Sequence, residues 1–467
     1  MKKTSLLFIF VFALLASKAQ DKMYKNVQKY FITASYEEAR QEIDKLIANN
    51  PKALDKAETW LWCTRVYSEL YFSEKVRGRY PGCGNIAFEA FKKYEALEPD
   101  YKMLANATVA AWNWRPLDIL YVTNFNIGRK FFEEKQWDSS YHSFLTAVYM
   151  GDVVIKNDLR GNGAKIDTLS VLYAAYAAQN GKMESEASAL YEKFADLKIG
   201  GKEIKDAYLY ILLHASNTKD KEKFYKYIAI AKEVYPDDQD WDDYEMDFIT
   251  KTTTVEERIT QYENEDKAGT ISARKYMLYG QSFIEVTKGD AADNLDSLTI
   301  KKYEGISIDA FKKAYNKDNT LGLAAYNAGL LYYNQFSELD DAISSNRRAL
   351  QRLNTSKTDT KDPKKKAAAE AEFKKQAEPI KQVMADLEKP TMEAINNSIE
   401  WLEKSYNTMK DGDLNDRTTK NCLKNSVKWL ANCFIYKREK VKGKDTKAYD
   451  EYDAKFNLYD KLFEKYE

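Results

Sequence analysis

Histidine is scarce in this sequence: 467 residues carry two, His142 and His214, on predicted helices of different repeats. Acid–base chemistry near neutral pH draws most often on His, and two scattered copies on helices build no such centre. There is no HExxH motif and no pair of Cys at zinc-ligand spacing. Proline is rare, at 8 residues, and glycine modest, at 18, a balance that favours long helices over strands and turns. Net charge is also missing. Lys plus Arg and Asp plus Glu stand at 72 each, so no overall field gathers nucleic acid or an anionic membrane. Past residue 20, no stretch stays apolar for the ~20 residues that a membrane helix requires.

Four cysteines, Cys63, Cys83, Cys422 and Cys433, complete the short list of scarce residues. Cys422 and Cys433 lie eleven residues apart on one predicted helix, or roughly 16 Å at ~1.5 Å per residue. That is far beyond the ~4.4–6.8 Å Cα separation of a disulfide. We read the four as buried thiols behaving as small hydrophobes. A Cys63–Cys83 bridge is the sterically open alternative, since Cys83 sits in a Gly-Cys-Gly stretch.

The N-terminus reads differently from the rest. Lys2 and Lys3 precede the apolar run Leu6–Ala16, and Ser17-Lys18-Ala19 places small residues where a signal peptidase cuts. Residues 1–19 are therefore expected to be a secretory signal peptide, with a mature chain from Gln20. No Cys follows the run to carry a lipid. The expected location is outside the cytoplasm, most simply the periplasm, with the outer surface or secretion as alternatives.

What the sequence has in excess is aromatic: 34 Tyr, 21 Phe and 8 Trp. Many recur at fixed spacing. Trp60-x2-Cys63-Thr64-x2-Tyr67 is answered by Ala87-x3-Phe91-x2-Tyr94. Ile127-Gly128-x2-Phe131 is answered by Ser140-x3-Phe144-x2-Ala147, and Tyr279-Gly280-x2-Phe283 by Ser307-x3-Phe311-x2-Ala314. Further copies are Ala187-x3-Tyr191-x2-Phe194, Phe224-x3-Ile228-x2-Ala231 and Ala325-x2-Ala328-Gly329-x2-Tyr332. For the last, Ala342-x3-Asn346-x2-Ala349 supplies the expected second helix. Ser398-x3-Leu402-x2-Ser405 and Val427-x2-Leu430-Ala431-x2-Phe434 close the series.

This pattern resembles the tetratricopeptide repeat, in which helix A carries large-x2-large-small-x2-aromatic and helix B small-x3-large-x2-small. The resemblance covers most of residues 21–467. It implies an all-α fold, a right-handed helix-turn-helix solenoid of about nine pairs, some degenerate. We expect the array over 20–353, a Lys/Ala/Glu-rich linker or exposed helix over 354–390, and C-terminal repeat-like helices over 391–467. Residues 238–270 read as a degenerate repeat.

Other motifs carry little chemistry. Gly161-Asn-Gly163-Ala-Lys165 lacks the spacing and the Ser or Thr of a phosphate loop. Asp237-Asp238-x-Asp240-Trp241-Asp242-Asp243 lacks the EF-hand spacing and Gly, and reads as a helix start whose acids complement the dipole. Lys364–Lys366, flanked by acids, reads as a solvated face. We expect no enzyme, cofactor or metal.

Helix A residues line the concave face of such an array, so the expected function is an extracytoplasmic scaffold, binding a peptide or a cell-envelope protein there. Asn126 and Asn327 each lie two residues before the repeat Gly, where the resemblance implies an Asn that bonds peptide backbone. Arg129, Arg65, Tyr326 and Tyr333 are the other groove candidates, the arginines as carboxylate partners. A glycan-binding protein of an outer-membrane uptake system is the alternative, with Trp112 and Trp114 as stacking platforms.

Overall fold

The computed structural model describes residues 22–105, 114–159, 161, 163–355 and 363–466. Residues 1–21 and Trp112, which carry the export and sugar-stacking expectations, lie outside them. Among the described residues every regular element is helical. The chain divides into two compact units, 1–238 and 239–467.

Among the described residues, the first unit holds five pairs in which each helix packs mainly on its neighbours in sequence. They are α1 (Lys25–Ile32) with α2 (Tyr36–Asn49), α3 (Ala57–Phe72) with α4 (Cys83–Leu97), α5 (Arg115–Glu133) with α6 (Trp137–Lys156), α7 (Thr168–Asn180) with α8 (Glu184–Asp196), and α9 (Lys205–Asn217) with α10 (Lys221–Val234). The second unit holds α11 (Asp240–Thr252) with α12 (Val255–Ala268), α13 (Ala273–Glu285) with α14 (Ser297–Lys317), α15 (Gly322–Thr355) with α16 (Pro363–Met409), and α17 (Arg417–Val441) with α18 (Thr446–Tyr466).

The small residue of helix A sets how near its partner comes. A Cβ on Gly128 would lie 2.9 Å from the Phe144 ring of α6. One on Gly280 would lie 2.7 Å from the Phe311 ring of α14, and one on Gly329 2.7 Å from the Leu402 side chain of α16. The opposing Ser closes the contact: Ser140 Oγ donates to the Gly128 carbonyl at 2.9 Å and Ser398 Oγ to the Gly329 carbonyl at 3.1 Å. These serines are fully buried, so the bonds satisfy groups that would otherwise destabilise the seam.

Turns within the pairs repeat too. Ala34, Lys135, Lys182 and Lys219 each follow a helix A with φ between 56° and 60°. In each case the next residue's N–H reaches back to the last helical turn, as Gln136 N does to the Phe131 carbonyl at 2.8 Å, which is a Schellman closure. Residue 336 is where α15 departs from this. Phe336 would have to turn left-handed there. Instead it is buried against Ile395, Cys433 and Tyr436, and α15 continues to Thr355, 34 residues in all.

The expected second helix at Ala342–Ala349 is therefore a continuation of the first. The helix that answers Gly329 is α16, through Ser398 and Leu402. The extra length pairs as a hairpin. Phe336, Leu339, Ile343, Leu350 and Leu353 on α15, and Phe373, Ala377, Ile380, Met384 and Leu387 on α16, recur at steps of three, four or, from Ile343 to Leu350, seven residues. All ten are at least half-buried while the flanking residues are mostly exposed, the seam of an antiparallel coiled coil. The sequence places a segment boundary at residue 390. α16 runs through it despite Pro379 and Pro390, because Ala, Lys, Glu and Leu around them are strong helix formers.

All four cysteines are buried free thiols. Cys422 and Cys433 share α17, and the Cys63–Cys83 bridge is not formed.

The tyrosine excess has a specific use. Tyr hydroxyls of one helix donate to carboxylates of another: Tyr67 to Asp44 at 2.7 Å, Tyr262 to Asp309 at 2.8 Å, Tyr303 to Glu256 at 2.7 Å and Tyr459 to Glu403 at 2.6 Å. Tyr101 and Tyr149 share Glu95. Each ring buries apolar area while its hydroxyl finds an acceptor at the edge of the core.

Two outcomes follow from this packing. Gly280→Ala forces its methyl into the Phe311 ring and should cost about 1–3 kcal/mol. Gly305→Ala, on α14 with no atom near its new Cβ, should stabilise by about 1 kcal/mol. Urea unfolding of the two variants reads both, and equal effects would refute the close-approach account. Second, burial pushes the Tyr71 and Tyr276 hydroxyls up to about 12, and the bond to Glu256 does the same for Tyr303. A raised folded-state value gives stability that is complete below the unfolded pKa of about 10. That stability drains as pH rises toward 12. Melting temperature should fall across that window, with most tyrosinate absorbance appearing in the unfolding step rather than before it.

Candidate partner-binding grooves

In the first unit, a recess of about 300 Å³ opens between α1, α3 and α5. Its walls include Phe31, Tyr36, Arg65, Ser68, Glu69 and Arg115. A wider hollow of about 600 Å³ adjoins it, sharing Tyr36, Glu69 and Arg115 and adding Glu37, Glu38 and Phe72. Phe72 is 53% exposed, which leaves an apolar face at the mouth.

Arg65 follows the helix A small residue, Thr64, by one position. Its guanidinium stacks 4.7 Å from the Trp62 ring centroid, a favourable cation–π distance. Burial pulls its pKa down to about 10, so it remains a cation at neutral pH. Arg115 forks onto Glu69, with Nη2 donating to Oε2 at 3.0 Å and Nε donating to Oε1. Glu69 is 6% exposed, and the bidentate pair orients both side chains. The bond to Glu69 also raises the Arg115 pKa. Tyr36 is raised by burial first and by the Glu69 charge second.

In the second unit, a recess of about 270 Å³ lies between α13 and α15, walled by Gln281, Ile284, Glu285, Phe311, Asn327 and Leu330, with Lys288 at its edge. The correspondence with the first unit is positional. Arg65, Ser68 and Glu69 follow Thr64 by one, four and five residues. Gln281, Ile284 and Glu285 follow Gly280 by the same steps. Both recesses are thus walled by equivalent faces of helix A.

The sequence candidates separate accordingly. Arg65 and Asn327 line recesses. Asn126 is exposed on α5, on one stripe with Val122 and Arg129, and Arg129 makes a 3.6 Å pair with Glu133 along its own helix. Tyr326 and Tyr333 do structural work in the second unit. Their rings stack on Trp429 of α17 at 5.6 and 5.4 Å. Their hydroxyls accept from Asn425 at 3.2 Å and Asn432 at 2.9 Å. They hold α15 to α17.

Glu69, Arg115, Gln281, Glu285 and Lys288 escaped the sequence reading. A signal was present: Glu69, Glu133 and Glu285 all stand five residues after the small position. Trp114 packs half-buried against the first unit's core, so it offers no open platform. The Asp-rich start of α11 is consumed by structure, with Asp242 accepting from Ser272 and Asp243 holding Arg274 at 2.7 Å. His142 sits 3.5 Å from Asp138 on the surface of α6.

No family model and no curated protein matches the chain. Among solved structures it is similar to a chain of the crystal structure of the APC/C hetero-tetramer Cut9-Hcn1, at 12% identity over 98% of each chain with a TM-score of 0.18. It is also similar to a circular tandem repeat protein with novel repeat topology and enhanced subunit contact surfaces, at 11% identity over 95% of each chain with a TM-score of 0.21. The assignment to tetratricopeptide-like helix pairs rests on the helices and contacts described above.

Removing Arg115 leaves the buried Glu69 carboxylate without its main cation, whereas removing both charges does not. Arg115→Ala should therefore destabilise by about 1–3 kcal/mol. Arg115→Ala with Glu69→Leu should recover at least half of that, and a double-mutant cycle by thermal unfolding measures it. Additive losses would dissolve the pair's structural role.

Proposed function

We propose that this chain is a non-enzymatic interaction scaffold that holds an extended segment of a partner protein along its helix A faces. The observation that carries this reading is the equivalence of the two recesses, walled at matching steps from Thr64 and Gly280. Each unit thus offers the same helix A positions, and such repeated positions suit a repeated ligand, of which a peptide backbone is one. Asn327 and Gln281 bring carboxamides, each able to donate and accept, which is what a backbone N–H and C=O require. Arg65 adds a cation for a carboxylate, and Phe72 an apolar contact.

The location belongs to the same proposal. The basic, apolar and small-residue order of Lys2 to Ala19 supports export, so the partner is a protein of the cell envelope, and the protein is periplasmic. The protein purified from its native cells should begin at Gln20 on N-terminal sequencing.

The test places a photo-reactive amino acid at 65, 126 or 327, and a control at the exposed Glu263 on α12. The groove sites are expected to yield one common adduct by mass spectrometry, weakened severalfold by Gln281→Ala at the 327 site. Adducts that are absent, or the same from the Glu263 control, would overturn the groove assignment.

A further inference from the structure

The outer end of the α15–α16 hairpin concentrates positive charge in a chain with none to spare. Residues 347–355 and 363–375 carry three Arg (347, 348 and 352) and five Lys (364–366, 374 and 375) against two acids, Glu370 and Glu372. The intervening 356–362 balances two Lys with two Asp. All eight cations are exposed. Nearer the body the balance reverses: Glu338, Asp340, Asp341, Asp386 and Glu388 outnumber Lys381 and Lys389. Part of that acid is matched, as Glu388 is by Lys440 of α17 at 3.0 Å.

We propose that this hairpin end docks on an anionic lipid surface. The apolar residues of both helices face each other along the seam, which leaves the end without an exposed aromatic or large aliphatic anchor. Protein interfaces concentrate their energy in such anchors and are depleted in Lys. A layer of lipid phosphates needs only cations near its plane, with each Lys or Arg adding to adsorption. The coiled coil supplies the reach. Helices of 34 and 47 residues, at ~1.5 Å per residue, carry the end well past the Glu388–Lys440 pair with α17. The proposal stands apart from the groove function.

Sedimentation of the full mature chain with vesicles tests it. Wild type is expected to pellet with vesicles containing one anionic phosphatidylglycerol in about three lipids, to ignore pure phosphatidylcholine, and to be released by about 0.5 M salt. Arg347→Gln, Arg348→Gln, Lys364→Gln, Lys365→Gln and Lys366→Gln together should cut the partition coefficient at least ~tenfold, at unchanged circular dichroism and melting temperature. Lys301→Gln with Lys302→Gln, on α14, should leave it unchanged. No pelleting of wild type, or equal loss in the α14 variant, overturns the proposal. Wild type that ignores the vesicles yet binds polyglutamate through these five positions would make the end a site for an acidic protein, and the lipid assignment would fall.

Discussion

How closely two antiparallel helices approach decides most of this structure. Where Gly128 or Gly329 faces a large side chain, the helix axes come near enough for a buried Ser to reach the opposing helix, and Ser140 and Ser398 do so. Opposite Gly280, Ser307 is buried but bonds the Tyr303 carbonyl of its own helix at 2.9 Å. Dispersion forces fall off steeply with separation, so the rest of each pair's packing depends on that one spacing. Where the small residue is Thr64, its hydroxyl turns back to the Trp60 carbonyl at 2.8 Å and needs no partner across the seam.

Stacked pairs create a second problem, because helices of a charged chain meet their neighbours along edges that are neither dry nor fully wet. Tyrosine suits that boundary. Its ring covers apolar area and its hydroxyl donates to a carboxylate on the next helix, as Tyr67 does to Asp44 and Tyr262 to Asp309. Such a bond sits in lower dielectric than water and is stronger for it. The same chemistry prevents these tyrosines from being spare ligands. Tyr326 and Tyr333 line a helix A yet are spent on Trp429, Asn425 and Asn432.

Much of this was legible beforehand. Gly128 with Phe144, and Gly280 with Phe311, could be paired from spacing, because both halves of the contact lie in one repeat. The Thr254-x-x-Glu257 capping box that starts α12 lies in residues 238–270, which the sequence marks only as a degenerate repeat. Asn327 was reachable by its distance from Gly329, and Arg65 by its place after Thr64. Glu69 recurs five residues after the small position, but its pairing with Arg115 was not legible, since the two are 46 residues apart and Arg115 belongs to no motif. The hairpin was misread for a related reason. Ala342-x3-Asn346-x2-Ala349 fits a helix B, and only burial of Phe336 against Ile395, Cys433 and Tyr436 tells the chain not to turn.

The sequence by itself determined what depends on near neighbours: the helices and their small-on-large pairing. Local spacing suffices there, since each repeat carries both partners of its own contact. Tertiary structure decided which helix answers α15 and which candidate side chains remain open in a recess. Those outcomes turn on competition between partners distant in sequence, and burial, not spacing, settles which partner wins.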